Sequence, residues 1–186
     1  MTIIGITGTA GAGKGTIVDY LLTQKDFKHY SARDFIVKEI NRRGLEVDRD
    51  SMILVGNDLR ASNSPSFVIE SLYKEAAAVG GDAVIESIRA VGEVEAMRGK
   101  PDFYLLAVDA DISERYRRIK ARGLVTDMVT LEEFKGQEEK EMTSDDPNKQ
   151  NLSACIALAD YKIVNNGTID DLYVQVEEVL AEIMTK

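Results

Sequence analysis

One cysteine, Cys155, and one histidine, His29, in 186 residues leave no disulfide and no Cys/His zinc site to build within the chain. With a single imidazole and no Gly-x-Ser-x-Gly elbow, a Ser-His-Asp arrangement is excluded as well, and His29 reads as a loop or strand-end residue. No apolar run approaches the roughly 20 residues that cross a bilayer, and Met1 to Gly5 offers no basic region ahead of an apolar stretch. No membrane association is expected, and the expected compartment is the cytoplasm. Positive charge is in deficit: 23 Lys and Arg against 32 Asp and Glu give a net charge of −9 and a pI near 4.8. Such a surface repels a phosphate backbone, so nucleic acid is not an expected partner, although a local cationic pocket for a small phosphate ligand is compatible with it. Three prolines and 14 glycines rule against disordered or collagen-like composition.

The length suits one domain spanning residues 1–186 with a substantial core. Short β-rich runs alternate with longer amphipathic stretches, the pattern of βα units around a parallel sheet. Five strands are expected at Ile3–Thr7, Lys28–Ser31, Ala83–Glu86, Phe103–Val108 and Tyr161–Val164, the second short and polar. Helices are expected near Gly15–Thr23, Asp34–Arg43, Ser51–Ala61, Pro65–Val79, Val91–Arg98, Ile112–Arg122 and Leu131–Met142. A last helix begins after Thr168, which can cap it with Asp171, and places Ile169, Leu172, Val176, Val179, Leu180 and Ile183 on one face. Residues 123–151 are rich in acidic side chains, among them Asp127, Glu138 and Glu141. They read as a lid-like flap over a site or as a solvated helical hairpin with no gating role.

Gly8-Thr9-Ala10-Gly11-Ala12-Gly13-Lys14-Gly15-Thr16 follows an apolar strand and opens a helix, the setting that gives a glycine-rich lysine motif its meaning. In such a phosphate-binding loop Gly11, Ala12, Gly13, Lys14, Gly15 and Thr16 aim backbone N–H groups at an anion. Lys14 adds a full charge at the β- and γ-phosphates, and the helix contributes its positive dipole end. The usual pattern has Ser or Thr directly after the lysine; here Gly15 intervenes.

This Gly-x-x-Gly-x-Gly-Lys-Gly-Thr form resembles the loop of adenylate kinases and related nucleoside monophosphate kinases. The resemblance implies a three-layer α/β fold of the P-loop NTPase type, with a five-stranded parallel sheet flanked by helices and a short helical lid. It also implies ATP as donor and Mg2+ held through waters near Thr16, Asp34 and Glu86 rather than by a direct protein ligand. Ser31 and Asp34 match the Ser-x-x-Asp of adenylate kinases, while Asp34 to Glu39, including Lys38, is similar to a stretch of dephospho-coenzyme A kinases. Val37 stands where the monophosphate kinases carry an acceptor-binding arginine. Glu86-Ser87-Ile88-Arg89 resembles their Asp-Gly-Ile/Phe-(Pro)-Arg turn, which puts Glu86 near the metal waters and Arg89 on the acceptor phosphate. A surface salt bridge is the other reading of Arg89.

Residues 33–80 are the expected acceptor-binding helical region, with Ser31, Arg33, Asp34, Lys38 and Arg60 as further acceptor contacts. Arg115, Arg118 and Arg122 share one flank of their helix beside Ile112, Tyr116 and Ile119. The family implies that Arg118 and Arg122 neutralise the moving phosphoryl group; a solvated basic face is the alternative. The loop after the last strand, with Asn165 and Gly167, is similar to the donor-base loop of dephospho-coenzyme A kinases. The expected activity is ATP-dependent phosphorylation of a small acceptor, a nucleoside monophosphate. Phosphorylation of a hydroxyl with Asp34 as base, and a non-catalytic ATP sensor, remain open beside it, as do monomer and homodimer.

Overall fold

The computed structural model describes residues 1–123, 129–146 and 149–185, residue 49 by its backbone alone. Five strands form one sheet: β1 (Ile3–Gly8), β2 (Lys28–Ser31), β3 (Ala83–Glu86), β4 (Phe103–Asp109) and β5 (Tyr161–Val164). Their order is β2-β3-β1-β4-β5, and every pairing is parallel. The helices are α1 (Lys14–Lys25), α2 (Ala32–Arg42), α3 (Arg49–Ser62), α4 (Phe67–Val79), α5 (Val91–Arg98), α6 (Ile112–Arg122), α7 (Leu131–Met142), α8 (Leu152–Ala157) and α9 (Ile169–Met184).

The two-residue period of the strands splits the core into two layers. Ile3, Tyr30, Ile85 and Leu105 pack on one face with α2, α4 and α5. Ile4, Val84, Leu106 and Ile163 pack on the other with α1 and α9. Because both faces are covered, the central strands read as continuous apolar runs. β1 is flanked by β3 on one side and β4 on the other, so successive connections depart in opposite directions along the sheet from its carboxyl end. That end is where open α/β sheets leave a crevice.

Helix boundaries follow their caps. Ser31 accepts from the Asp34 amide and starts α2 two residues earlier than its apolar pattern suggests; Asp48 does the same for α3 through Ser51. Pro65 lies ahead of α4, which opens at Phe67. Thr168 and Asp171 form the expected capping box of α9. The sequence reading has no counterpart for α8. Six residues are too short to show a period, yet Asn151 caps it and Leu152 and Cys155 are fully buried under β1.

Ile85 is completely enclosed on β3 and Val174 is 58% exposed on α9. Ile85→Ala is expected to cost about 2–5 kcal/mol in urea unfolding, whereas Val174→Ala stays within about ±0.5 kcal/mol.

Candidate functional site

β1 delivers the chain into the loop at its carboxyl end, and α1 rises from that loop. Gly13, the residue before α1, has φ of +103°, and a Cβ there would lie 2.4 Å from Asn165 Nδ2. Glycine is therefore required twice over, for its backbone angle and for the close approach of Asn165. Asn165 is buried and donates from Nδ2 to the Ala12 carbonyl at 2.8 Å, so the turn after β5 braces the loop from behind. Gly167 lies farther along that turn, exposed beside Asp171.

No side chain caps α1, and its first turn carries no acidic residue, unlike α2 with Asp34, α3 with Asp50, α4 with Glu70 or α6 with Glu114. The free N–H groups and positive dipole end of this helix are left for an external anion. Lys14 Nζ folds back on the loop and donates to the carbonyls of Gly8 and Thr9 at 2.8 and 2.7 Å. Desolvation and the nearby Arg89 push its pKa down to about 8, opposed by Glu86 and Glu141. At Gly15 an added Cβ would meet nothing within 4 Å, so steric crowding does not exclude a side chain directly after the lysine.

The carboxyl end of β3 meets this loop. Glu86 shares the α1-side face with Val84; its carboxylate lies 3.6 Å from His29 Nε2, and this pairing holds Glu86 below the usual carboxylate range. The same pairing raises the pKa of His29, which is thus a strand residue beside a site carboxylate. Ser87 follows with φ of +72°, a left-handed conformation that costs a non-glycine residue about 1–3 kcal/mol. The strained turn delivers Arg89, whose Nη1 donates to Glu141 at 3.0 Å and Gln150 at 3.2 Å. Beyond it, the buried Glu93 of α5 accepts from the Arg89 and Ala90 amides and lies 3.7 Å from buried Arg60.

On the β4 side, Thr9 Oγ1 donates to Asp109 at 2.6 Å. Arg115 is 5% exposed; it donates from Nε to Ala110 at 2.7 Å, from Nη1 to the loop carbonyl of Ala10, and from both Nη1 and Nη2 to Glu138. Its guanidinium lies over the Phe134 ring. Arg118 is half-buried, and its buried Nη1 has no hydrogen-bond partner among the described residues. A guanidinium nitrogen removed from water without an acceptor is costly, which marks a place where an anion would be stabilised. Arg122 is exposed at the end of α6.

Arg115, Arg118 and Arg122 thus differ in depth along α6, and Arg115, which the sequence reading passed over, reaches the loop. Its position between Ile112 and Ile119 on the apolar stripe is the signal that marks it. The acidic segment is drawn inward through Glu138 and Glu141, three residues apart on α7; Asp127 lies outside the described residues. Asp34 and Lys38 line a cleft of about 140 Å³ with His29 and Ser31 along edge strand β2, and Arg33 is exposed on α2.

Among the described residues no three His, Cys, Asp or Glu side chains converge on a metal site. The Thr16 hydroxyl and the Glu86 and Asp109 carboxylates are hard oxygen donors, suited to Mg2+ that arrives on a nucleotide and keeps most of its waters. Among the described residues no helix is long and apolar enough to cross a membrane.

Because anion binding requires the charged ammonium, affinity for ATP is expected to fall as pH rises through about 8, by up to about tenfold per unit. Titration calorimetry between pH 7.5 and 9.5 checks this, and Lys14→Met should bind weakly with no such slope.

Residues 4–142 match the AAA_18 family, described as an AAA domain. The UPF0200 protein TK1334 of Thermococcus kodakarensis is 30% identical over 190 residues, covering 99% of each chain. Among solved structures, TT1252 from Thermus thermophilus superposes with a TM-score of 0.63 at 22% identity, covering 97% of each chain. A shikimate kinase from Bacteroides thetaiotaomicron has a TM-score of 0.60 at 14% identity, over 97% of this chain and 98% of its own. The fold is P-loop kinase-like, and the chain belongs to the AAA_18 family and shares the UPF0200 family of its relative.

Proposed function

We propose that the chain is a cytoplasmic, ATP-dependent phosphotransferase whose acceptor is a nucleoside monophosphate. One observation carries the reading: two cationic centres, Lys14 in the loop after β1 and Arg89 in the turn after β3, leave the carboxyl ends of paired neighbouring strands, and Arg89 acts on the lysine's charge. Each on its own would hold one phosphate. Side by side they suit a donor triphosphate and an acceptor phosphate facing each other. The kinase names among solved structures of like fold support the same class.

Transfer of this kind needs alignment and charge neutralisation more than covalent help from the protein. The loop amides and Lys14 hold the β- and γ-phosphates. Arg89 orients the acceptor phosphate, whose ionised oxygen attacks the γ-phosphorus while the bond to the β–γ bridging oxygen breaks and ADP departs. No general base is needed for that nucleophile. Arg118 supplies charge to the equatorial oxygens through its unpartnered nitrogen. Mg2+, when bound, neutralises charge on the phosphate oxygens, with Thr16 and Glu86 as its protein-side neighbours.

Ligand entry exchanges anions. Glu141 leaves Arg89 as the acceptor phosphate arrives, so α7 acts as a lid that responds to the charge beneath it. A hydroxyl acceptor is the second reading, favoured by Asp34 in the cleft beside His29.

ADP release, followed in a coupled assay with a panel of nucleoside monophosphates and dephospho-coenzyme A, is expected to depend on a monophosphate. Arg118→Ala should lower kcat by about 10³-fold or more while ATP still binds. Asp34→Asn should only weaken monophosphate phosphorylation. Turnover with dephospho-coenzyme A alone, lost in Asp34→Asn, would favour the hydroxyl reading, and ATP binding without turnover on any acceptor would refute a kinase.

A further inference from the structure

We infer that Glu93 is a positioning residue that sets Arg60 and Arg89 as one clamp for a phosphate monoester dianion. This deepens the proposed function and rests on its reading of Arg89 as the acceptor contact. Glu93 is 2% exposed, and its two carboxylate oxygens do different things. Oε2 accepts from the amides of Arg89 at 2.8 Å and Ala90 at 3.0 Å, closing the first turn of α5, where the N-cap residue is an alanine that cannot cap itself. Oε1 lies 3.7 Å from Arg60 Nη1.

A cap uses only one of the two carboxylate oxygens, and the second faces Arg60 instead. Burial raises the pKa of Glu93 and lowers that of Arg60, and each shift is opposed by the charge of the other residue. Arg60 is 8% exposed, is fixed further by Asn57 Oδ1 at 2.9 Å, and feels the charge of Arg89. The Arg89 backbone is pinned from both sides, its amide by Glu93 and its carbonyl by the Asn151 amide at 2.8 Å.

The ion pairs point to the class of ligand. Arg60 lies beside Glu93, and Arg89 pairs with Glu141. Glu93 belongs to the core beside α5, whereas Glu141 comes from α7 and is the one that can be exchanged. Moving Glu141 aside exposes the Arg89 guanidinium, a bidentate donor suited to a phosphate dianion. Glu93 never touches that ligand; it holds the arginine that does.

Glu93→Gln separates the two roles, because its amide oxygen still accepts from both backbone N–H groups while the charge is gone. The probe is inorganic phosphate, titrated calorimetrically into a Lys14→Met background so that the loop does not compete. In that background Glu93→Gln and Arg60→Ala are each expected to weaken phosphate binding about tenfold or more. The double variant should be no weaker than either alone, since the two residues act as a unit. Thermal unfolding is expected at a lower temperature in Glu93→Gln, because Arg60 is left buried without its counter-charge, so phosphate binding is read well below that transition.

Phosphate affinity unchanged by Glu93→Gln but lost in Arg89→Ala would overturn the positioning role and leave the acceptor reading standing. Affinity insensitive to both Arg60→Ala and Arg89→Ala, or no phosphate binding by the parent, would overturn the clamp and the acceptor reading together. If Glu93→Gln does not fold, Glu93→Asp keeps the charge but draws the carboxylate back from Arg60 and from the two amides. Folded protein that has lost phosphate binding then supports the role. Folded protein binding at parental strength, or failure of this variant to fold too, assigns Glu93 to stability alone.

Discussion

The close approach of separate backbones around the phosphate loop is the constraint on which the rest of the structure depends. A helix N-terminus can serve a ligand only if nothing inside the protein already occupies it, and α1 is kept open by the absence of both a cap and an early acidic residue. Holding an uncapped loop in place then falls to its neighbours. Asn165 grips Ala12 from the β5 side, and Arg115 grips Ala10 from α6, whose own backbone passes so near Gly11 that a Cβ would sit 2.6 Å from the Arg115 carbonyl. The strand order serves this purpose, since β3 and β4 on either side of β1 bring one charged turn each to the same crevice.

Much of this was legible in the sequence because its signals are local. Four of the five strands announced themselves by composition, the loop by its glycines and lysine, and α9 by its cap and stripe. What stayed hidden depends on distance in the chain. The partnership of Arg89 with Glu141 spans 52 residues and that of Arg115 with Glu138 spans 23, and no spacing rule relates them. His29 looked inert because its partner, Glu86, becomes a neighbour only when β2 pairs in register with β3. The six-residue α8 was invisible for want of a period, though it anchors the Arg89 turn through Asn151.

The resemblance to monophosphate kinases directs attention to the turn after β3, where Glu86 ends the strand and Arg89 follows three residues on. Where that family has glycine in the turn, this chain has Ser87 in a glycine-like conformation. The strain is retained next to the site, held by the Ile88 amide bonding back to the Ile6 carbonyl at 3.1 Å and by Ile88 itself, fully enclosed in the core. Packing energy remote from the crevice thus fixes the direction in which Arg89 leaves the sheet.

Glu138 and Glu141 sit three residues apart on α7, each on a different arginine. The resting protein carries its own counter-ions. Small univalent anions of the surrounding solution gain little by displacing a tethered carboxylate, which has already surrendered much of its translational freedom. A polyphosphate or phosphate dianion brings more charge than the carboxylate it replaces and gains accordingly. On the proposed reading the acidic helix would select by valence, with the cationic crevice already neutralised in ordinary salt by its own carboxylates.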